Sequence, residues 1–294
     1  MNALAGGYGD FGEDGQCKKI GKTWGAATVL RAGMVLGLLA GAALPVDGPL
    51  AKWVQKQQAG MSSRTPLEGG GNPSEQGPPS ARWKIPSDLK RVLSWAEGFG
   101  HALGVVLLAL VIYQIAPDRR RALGRAVCMA LASGLAADGI KLLVARTRPR
   151  AFDLSQPILD SFTGLLPGLA GGSGSQSFPS AHVATATGWA LGLGWVYPRG
   201  KWIFVFFAFL VLCQRLEANA HFLSDCLAGA AVGCLASSLF LPGGWLSRRW
   251  DRWESSGRPF FAANPPQSAH QGCSPPTCQP IFSQDPSQEG FPGA

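Results

Sequence analysis

The sequence predicts an all-α integral membrane protein built as a bundle of six transmembrane helices. Only 15% of its 294 residues are charged, whereas 46% are hydrophobic. The mean hydropathy is positive at +0.11, although both ends of the chain are polar. Six apolar runs are separated by shorter segments rich in charge, glycine or proline. Apolar runs of roughly 20 residues are typical of helices that cross a bilayer.

The predicted spans share an apolar composition and are bounded by basic residues or proline. In order, they are Trp24 to Leu44, Phe99 to Ala116, Ala122 to Val144, Ala181 to Tyr197, Trp202 to Gln214 and Phe222 to Leu241. Arg31 interrupts the first span, and its basic lead-in and small residues near Gly41 also fit a secretory signal peptide. We favour a retained helix. The third span is rich in small residues, which suits close helix packing.

Composition divides the chain into one membrane domain with polar flanks. Residues 24–245 are predicted to form the domain, and residues 46–90, rich in Pro, Gly, Ser and Gln, an outer loop insertion. Two short helices are candidates at the ends of this loop, Pro49 to Gln58 and Pro86 to Glu97. Residues 1–23 and 246–294 are predicted to be disordered and cytoplasmic.

The basic residues predict the orientation, because cytoplasmic loops carry an excess of Lys and Arg. The two short loops that separate spans on one side are basic: Pro117–Arg121 and Pro198–Lys201. We therefore expect a multi-pass protein of the plasma or inner membrane, with both termini cytoplasmic. The loops at 46–98, 145–178 and 215–221 then face outward. The net charge of +8 is local to the cytoplasmic loops, so no nucleic-acid partner is expected.

A polar stretch between the fifth and sixth spans carries Arg215, His221 and Asp225 at the membrane edge. His221 and Asp225 are four residues apart, so one helical turn places them on one face, where the carboxylate is expected to hold the imidazole Nδ1–H. Arg215 is too far back to share this face, which predicts a turn between it and His221. By itself, the stretch equally fits a structural His–Asp pair beside a snorkelling arginine.

A second polar cluster ends the third span, where Lys141 and Arg148 are seven residues apart and nearly share a helical face. Pro149 disfavours helix at the residue before it and marks the end of the span. With Arg146 and Arg150 nearby, these residues also fit a basic belt of snorkelling side chains.

A third cluster opens the fourth span with Ser180, Ala181 and His182. Ser180 is a candidate helix cap, and the free N–H groups that begin near Ala181 form a helix N-terminus of the kind that binds anions. His182, in the first turn, is placed to donate a proton to a bound group. An ordinary serine cap followed by a polar residue is the alternative.

Together, the three clusters place three cations, neutral hydrogen-bond donors and two histidines at the same outer membrane face. A phosphoryl group with three equatorial oxygens is stabilised by a charge cage of this composition. No cluster of carboxylates suits Mg²⁺, and the seven cysteines show neither zinc spacing nor a disulfide framework. We therefore expect no metal and no cofactor.

The clusters resemble a known signature in order and spacing: Lys141-x6-Arg148-Pro149, Pro179-Ser180-Ala181-His182 and Arg215-x5-His221-x3-Asp225. This is similar to the three-part signature of the type 2 phosphatidic acid phosphatase/vanadium haloperoxidase superfamily, and the six-span layout resembles its membrane lipid-phosphatase branch. Ala181 stands where the family usually has glycine, and Gln214 where it usually has serine. Arg146 and Glu217 match no signature position, and His101 is not expected to be a site residue.

The resemblance implies a role for each matched residue. His221 attacks phosphorus to form a phosphohistidine, and Asp225 orients His221. His182 protonates the leaving oxygen and then activates water. The phosphate is bound by the other matched positions, which are Lys141, Arg148, Ser180, Ala181 and Arg215.

The activity that the resemblance implies is hydrolysis of a lipid phosphomonoester or diphosphate, of the phosphatidate, phosphatidylglycerol phosphate or undecaprenyl diphosphate type. The expected partners are this substrate and the membrane lipids. Two alternatives stay open: a lipid phosphotransferase that uses the same intermediate, and a non-catalytic polytopic membrane protein whose charges form a structural network. Six apolar spans argue against a soluble haloperoxidase. The sequence names neither the lipid nor an oligomeric state.

Overall fold

The computed structural model describes residues 24–62, 86–166 and 172–256, and these are mostly helical, as predicted. The helices are α1 (Ala26–Ser62), α2 (Ser87–Ala96), α3 (Ala102–Ile115), α4 (Arg120–Lys141), α5 (Ala181–Val196), α6 (Lys201–Glu217), α7 (Leu223–Ser238) and α8 (Ser247–Ser256). Two short strands, β1 (Val144–Arg146) and β2 (Phe162–Leu165), form an antiparallel pair. The predicted disordered segment 1–23 and the centre of the predicted outer loop lie outside the described residues.

Each predicted span contains a helix, but the six-span count is not confirmed. Two helical stretches of the described residues are long and apolar enough to cross a bilayer, Ala26–Gln58 and Pro117–Lys141. A third qualifies if Ser87–Gly100 and Ala102–Ile115, bent by 78°, count as one span. Helices α5, α6 and α7 have only 16 or 17 residues, about 25 Å of helix, which is short of a hydrocarbon core of about 30 Å. The apolar helices still make the chain a membrane protein.

The first helix extends well beyond its predicted end, so the outer loop does not begin at residue 46. Helix α1 runs for 37 residues and contains Pro45 and Pro49, which usually interrupt a helix. Its second half is held by tertiary contacts that the local sequence does not reveal. Ala51 packs against Leu154 and Phe222, burying apolar surface against the loop after α4 and the start of α7.

The third span ends earlier than Pro149 suggested, and this changes the placement of Arg148. Helix α4 stops at Lys141, and the chain then forms strand β1, which pairs with β2. Lys141 and Arg148 therefore do not share a helical face. The pairing of β1 with β2 supplies backbone hydrogen bonds in place of those of a continued helix.

Helix α5 lies at the centre of the bundle. It contacts α4, α6 and α7, and Trp189, Ala186 and Leu193 along it are fully buried. Helix α7 packs against α5 at Gly229, where a Cβ would overlap the Ser180 carbonyl oxygen. Helix α1 packs on α7 in turn. The absence of a side chain at Gly229 thus brings the start of α5 close to the start of α7.

A short helix occupies part of the segment predicted to be a disordered tail. Helix α8 begins at Ser247, and its Glu254 and Asp251 carboxylates contact the fully buried Arg125 guanidinium of α4, at 2.9 Å and 2.5 Å. Trp250, on the same face, is also buried. A buried arginine requires carboxylate partners, and α8 provides them. Residues 257–294 lie outside the described residues.

Candidate active site

The three predicted phosphate-binding cations act on the same histidine. Burial lowers the pKa of His221 well below its ordinary value, and the positive charges of Arg148, Lys141 and Arg215 lower it further. Lys141 comes from the end of α4, Arg148 from the loop before Pro149, and Arg215 from the last turn of α6. The structure thus brings together the cations that the sequence predicted, although from a loop in the case of Arg148.

Two polar groups near these cations are buried without a hydrogen-bond partner in the described part of the chain. They are the Nε of Arg148 and the hydroxyl of Ser180. Ser180 occupies the cap position of α5, but its side chain accepts no hydrogen bond from the helix, so the predicted capping role is wrong. Its backbone N–H donates instead to the Asp225 carbonyl at 3.0 Å. Buried donors are rarely left unpaired, so both groups are placed to bind an anion.

His221 lies in the turn between α6 and α7, as the spacing from Arg215 predicted. Helix α6 ends at Glu217, and Asn219 adopts a left-handed conformation with φ 49°, which asparagine tolerates. The His221 Nδ1 lies 2.7 Å from the Ser177 carbonyl oxygen, which can only accept, so Nδ1 carries the proton. The Nε2 lone pair is then the nucleophilic position of a neutral, buried imidazole.

Asp225 does not hold the imidazole directly, which corrects the predicted pairing. Helix α7 begins at Leu223, so His221 precedes it, and its Nδ1 is 3.9 Å from Asp225 Oδ2. The same Oδ2 accepts hydrogen bonds from the Ser177 hydroxyl at 2.6 Å and the Phe222 N–H at 2.9 Å. Asp225 therefore orients the residue whose carbonyl binds His221 and the residue that follows His221 in the chain.

The other oxygen of Asp225 pairs with the Arg146 guanidinium, a residue that the sequence left unassigned. Arg146 Nη2 is 2.8 Å from Asp47 of α1, and Nη1 donates to the Ser224 hydroxyl at 2.7 Å. The side chains of Arg146, Asp47 and Asp225 are fully buried. The guanidinium carbon lies 4.4 Å from the ring centroid of Phe162 and 4.3 Å from that of Phe222. We call Arg146, Asp47 and Asp225 the buried ion network.

His182 lies in the first turn of α5, at the more open side of the site. Its side chain is 30% exposed, whereas that of His221 is 4% exposed. Its Nε2 is 4.0 Å from Glu97, and its ring centroid is 5.7 Å from that of His101. Both neighbours come from the bend between α2 and α3. No group of three or more His, Cys, Asp or Glu residues suited to a metal ion occurs in the described ranges.

The comparison with known families agrees with this geometry. Residues 121–249 match the model of the PAP2 superfamily. This segment is therefore similar to the PAP2 superfamily, and it contains the signature residues from Lys141 to Asp225. Lipid A 1-phosphatase of Rhizobium johnstonii is 32% identical over 108 residues, which cover 36% of this chain and 41% of that protein. The chain thus matches less than half the length of this relative. No solved structure matches the chain.

Two carboxylates at the site lie outside the segment that matches the PAP2 superfamily, and the sequence analysis missed both. Asp47 belongs to α1 and Glu97 to the turn after α2. Both contact arginines that follow them by about 100 residues or more, Arg146 and Arg215. Each is a single carboxylate beside an apolar segment. This pattern could have identified both as candidate functional residues, because isolated charges in such segments are rarely without a role.

Replacement of Arg146 tests whether the buried ion network stabilises the fold. Arg146→Met leaves two buried carboxylates without their cation, and we expect it to cost about 3–5 kcal/mol, because removal of one partner leaves charge uncompensated. Thermal unfolding in detergent, followed by circular dichroism, should show a large drop in melting temperature.

The matched control is Arg91→Met. Arg91 is 4.0 Å from Asp88, and their side chains are 67% and 89% exposed, so this pair should contribute almost nothing. Equal melting temperatures for the two variants would contradict a stabilising role of Arg146.

Proposed function

We propose that this protein is a membrane phosphatase that hydrolyses a lipid phosphomonoester or diphosphate through a phosphohistidine at His221. One observation carries the proposal. A neutral, buried imidazole lies within the field of three cations, beside a guanidinium Nε and a serine hydroxyl that are buried without partners. This arrangement matches the needs of phosphoryl transfer, in which fixed positive charge and donors stabilise the oxygens of the transferred group.

The reaction proceeds in two steps in this proposal. His221 Nε2 attacks phosphorus, the bond to the leaving oxygen breaks, and His182 donates its proton to that oxygen. Neutral His182 then takes a proton from water, which attacks phosphorus and releases phosphate from His221. Lys141, Arg148 and Arg215 bind the phosphoryl oxygens, together with the Ser180 hydroxyl and the Ala181 N–H. Asp225 holds His221 through Ser177 and the Phe222 N–H. The protein provides the positive charge itself, and we propose that no metal takes part.

The substrate panel should contain lipid phosphates and diphosphates of several classes. Phosphatidate, phosphatidylglycerol phosphate and undecaprenyl diphosphate follow from the resemblance. Lipid A is added because the relative from Rhizobium johnstonii is a Lipid A 1-phosphatase. Phosphate release by purified protein in detergent and EDTA tests the function. Transfer of label to a lipid hydroxyl would indicate the phosphotransferase instead.

The nucleophile is tested by trapping the intermediate. His221→Ala should abolish both turnover and covalent labelling by ³²P-labelled substrate. His182→Ala should slow turnover by about 10²–10⁴-fold, the usual contribution of a general acid. It should still be labelled by p-nitrophenyl phosphate, whose leaving group needs no proton. Rapid quench followed by mapping of acid-labile phosphate locates the label, and label on His182 would reverse the two assignments.

The pH dependence follows from the lowered pKa of His221. Only the neutral imidazole attacks, and burial with nearby cations keeps it neutral below its ordinary pKa of about 6.5. The kcat/KM for p-nitrophenyl phosphate, corrected for substrate ionisation, should therefore stay high below that pH and fall only at lower values. Arg148→Gln removes a positive neighbour and should move this decline toward higher pH. A wild-type decline at or above the ordinary histidine value would contradict the assignment.

We also propose that the site faces the outer, periplasmic side of the membrane, with both termini cytoplasmic. Single cysteines at Gln156, in the loop beside the site, and at Asp118, between α3 and α4, test this in a chain whose native cysteines have been replaced. Both positions are exposed. An impermeant thiol reagent added to intact cells should label position 156 but not 118. The opposite pattern would reverse the orientation.

A further inference from the structure

Glu97 lies in a closed ring of hydrogen bonds with two residues at the end of α6. It begins the short 3₁₀ helix Glu97–Gly100 between α2 and α3. One carboxylate oxygen pairs with the Arg215 guanidinium, and the other accepts from the Gln214 side-chain amide at 3.1 Å. The side-chain oxygen of Gln214, Oε1, accepts a hydrogen bond from Arg215 Nε. Gln214 is the residue that replaces the usual serine, and it completes a ring that serine is too short to form.

The same carboxylate is the anion beside His182. The charged or titratable groups that act on His182 are Arg215, Glu97, His101 and Lys141. Among these groups, which belong to the described part of the chain, Glu97 alone carries negative charge. Its Oε1 is 4.0 Å from His182 Nε2, which is ion-pair rather than hydrogen-bond distance. Glu97 therefore stabilises a protonated His182 through charge and does not take its proton.

The backbone holds Glu97 in this position. Gly100 lies so close to α5 that a Cβ would be 2.6 Å from the His182 carbonyl oxygen. Phe99 stacks on Phe207 of α6, with ring centroids 5.5 Å apart. The turn that carries Glu97 is thus packed against both the helix of His182 and the helix of Arg215. This packing places Glu97 next to both residues.

Glu97 also lies on the side of the site where a leaving group can depart. The side chains of Glu97 and His182 are 38% and 30% exposed, whereas those of His221 and Asp225 are buried. In an in-line displacement, the leaving oxygen departs opposite the attacking Nε2 of His221. The open side of the site, next to His182, is the side on which a bulky lipid alcohol fits.

We propose that Glu97 is a positioning residue that acts through His182 and Arg215 during departure of the leaving group. This inference rests on the proposed phosphatase function. The Glu97 charge stabilises the imidazolium before the proton moves to the leaving oxygen. When phosphorus–oxygen cleavage is complete, the proton is on the alcohol, His182 is neutral and Glu97 is unchanged. Through the ring with Gln214, Glu97 also fixes the guanidinium of Arg215 against the phosphoryl oxygens.

Leaving groups of different basicity separate this role from a merely structural one. Glu97→Gln keeps an acceptor for Arg215 and removes the charge beside His182. The measurement is kcat/KM for p-nitrophenyl phosphate, which needs no proton, and for phenyl phosphate and a lipid phosphate, which do. We expect kcat/KM to fall about tenfold or more for phenyl phosphate and the lipid phosphate, the two demanding substrates, whose leaving groups need a proton. This is a fraction of the usual contribution of a general acid, and kcat/KM for p-nitrophenyl phosphate should change little.

The matched control is Glu217→Gln. Glu217 pairs with Lys90 at 3.2 Å, so it also links the segment before α3 to α6, and within the described ranges its carboxylate forms no ion pair with a residue of the proposed mechanism. This variant should leave the ratio between the substrates unchanged. Glu97→Asp moves the charge away from His182 by the length of one methylene. Its kcat/KM for the demanding substrates should lie between those of the wild type and Glu97→Gln. It carries the same test by itself if Glu97→Gln does not fold.

The outcomes distinguish this inference from the function on which it rests. Wild-type protein that releases no phosphate from any substrate overturns the proposed function and this inference with it. Active wild-type protein combined with an equal loss for all substrates in Glu97→Gln, or no loss, overturns this inference alone. A selective loss for the demanding substrates, absent in Glu217→Gln, supports it.

Discussion

The geometry of the site depends on one buried guanidinium, that of Arg146. It binds a carboxylate from α1 and another from α7, and burial of these charges is tolerable only because they are together. The requirement places α1 against α7 and draws β1 into the interior. It also orients Asp225, which in turn holds Ser177 and the Phe222 N–H on either side of His221. The position of His221, the proposed nucleophile, therefore depends on an ion network in which it takes no direct part.

Charges at the site fall into two groups that differ in how fully they are paired. In the buried ion network, the Arg146 guanidinium pairs with both carboxylates and also donates to the hydroxyls of Ser161 and Ser224, and two aromatic rings lie against it. The cations that face the proposed phosphate are less completely paired. Lys141 pairs with the exposed Asp138, and Arg215 pairs with the partly exposed Glu97. The buried Nε of Arg148 has no hydrogen-bond partner among the described residues. This difference in pairing fits the proposed phosphate site, because a cation that is incompletely paired within the protein can bind an anion.

Local sequence predicted much of the site, but it did not predict the partner of His221. Asp225 is four residues away, yet the Ser177 carbonyl, 44 residues away, accepts the hydrogen bond from Nδ1. The helices, the turn before His221 and the convergence of Lys141, Arg148 and Arg215 all follow from periodicity and signature order. The errors have a common origin in contacts between distant segments. Helix α4 ends at Lys141 because the following residues pair as a strand. Helix α1 continues past Pro45 and Pro49 because it packs against the start of α7 and the loop after α4. Helix α8 forms where its carboxylates bind Arg125. Asp47 and Glu97 were missed because their partners are remote in sequence.

The contact between Asp47 and Arg146 has a consequence for the order in which the site forms during biosynthesis. Asp47 is made about 100 residues before Arg146, and Asp225 about 80 residues after it, so α1 is complete well before the cation that pairs with Asp47. Charge in such a helix is costly until a partner arrives. The arrival of Arg146 supplies the cation, but only the start of α7 closes the network. The surroundings of His221, the proposed nucleophile, are thus complete only after the start of α7 has been made.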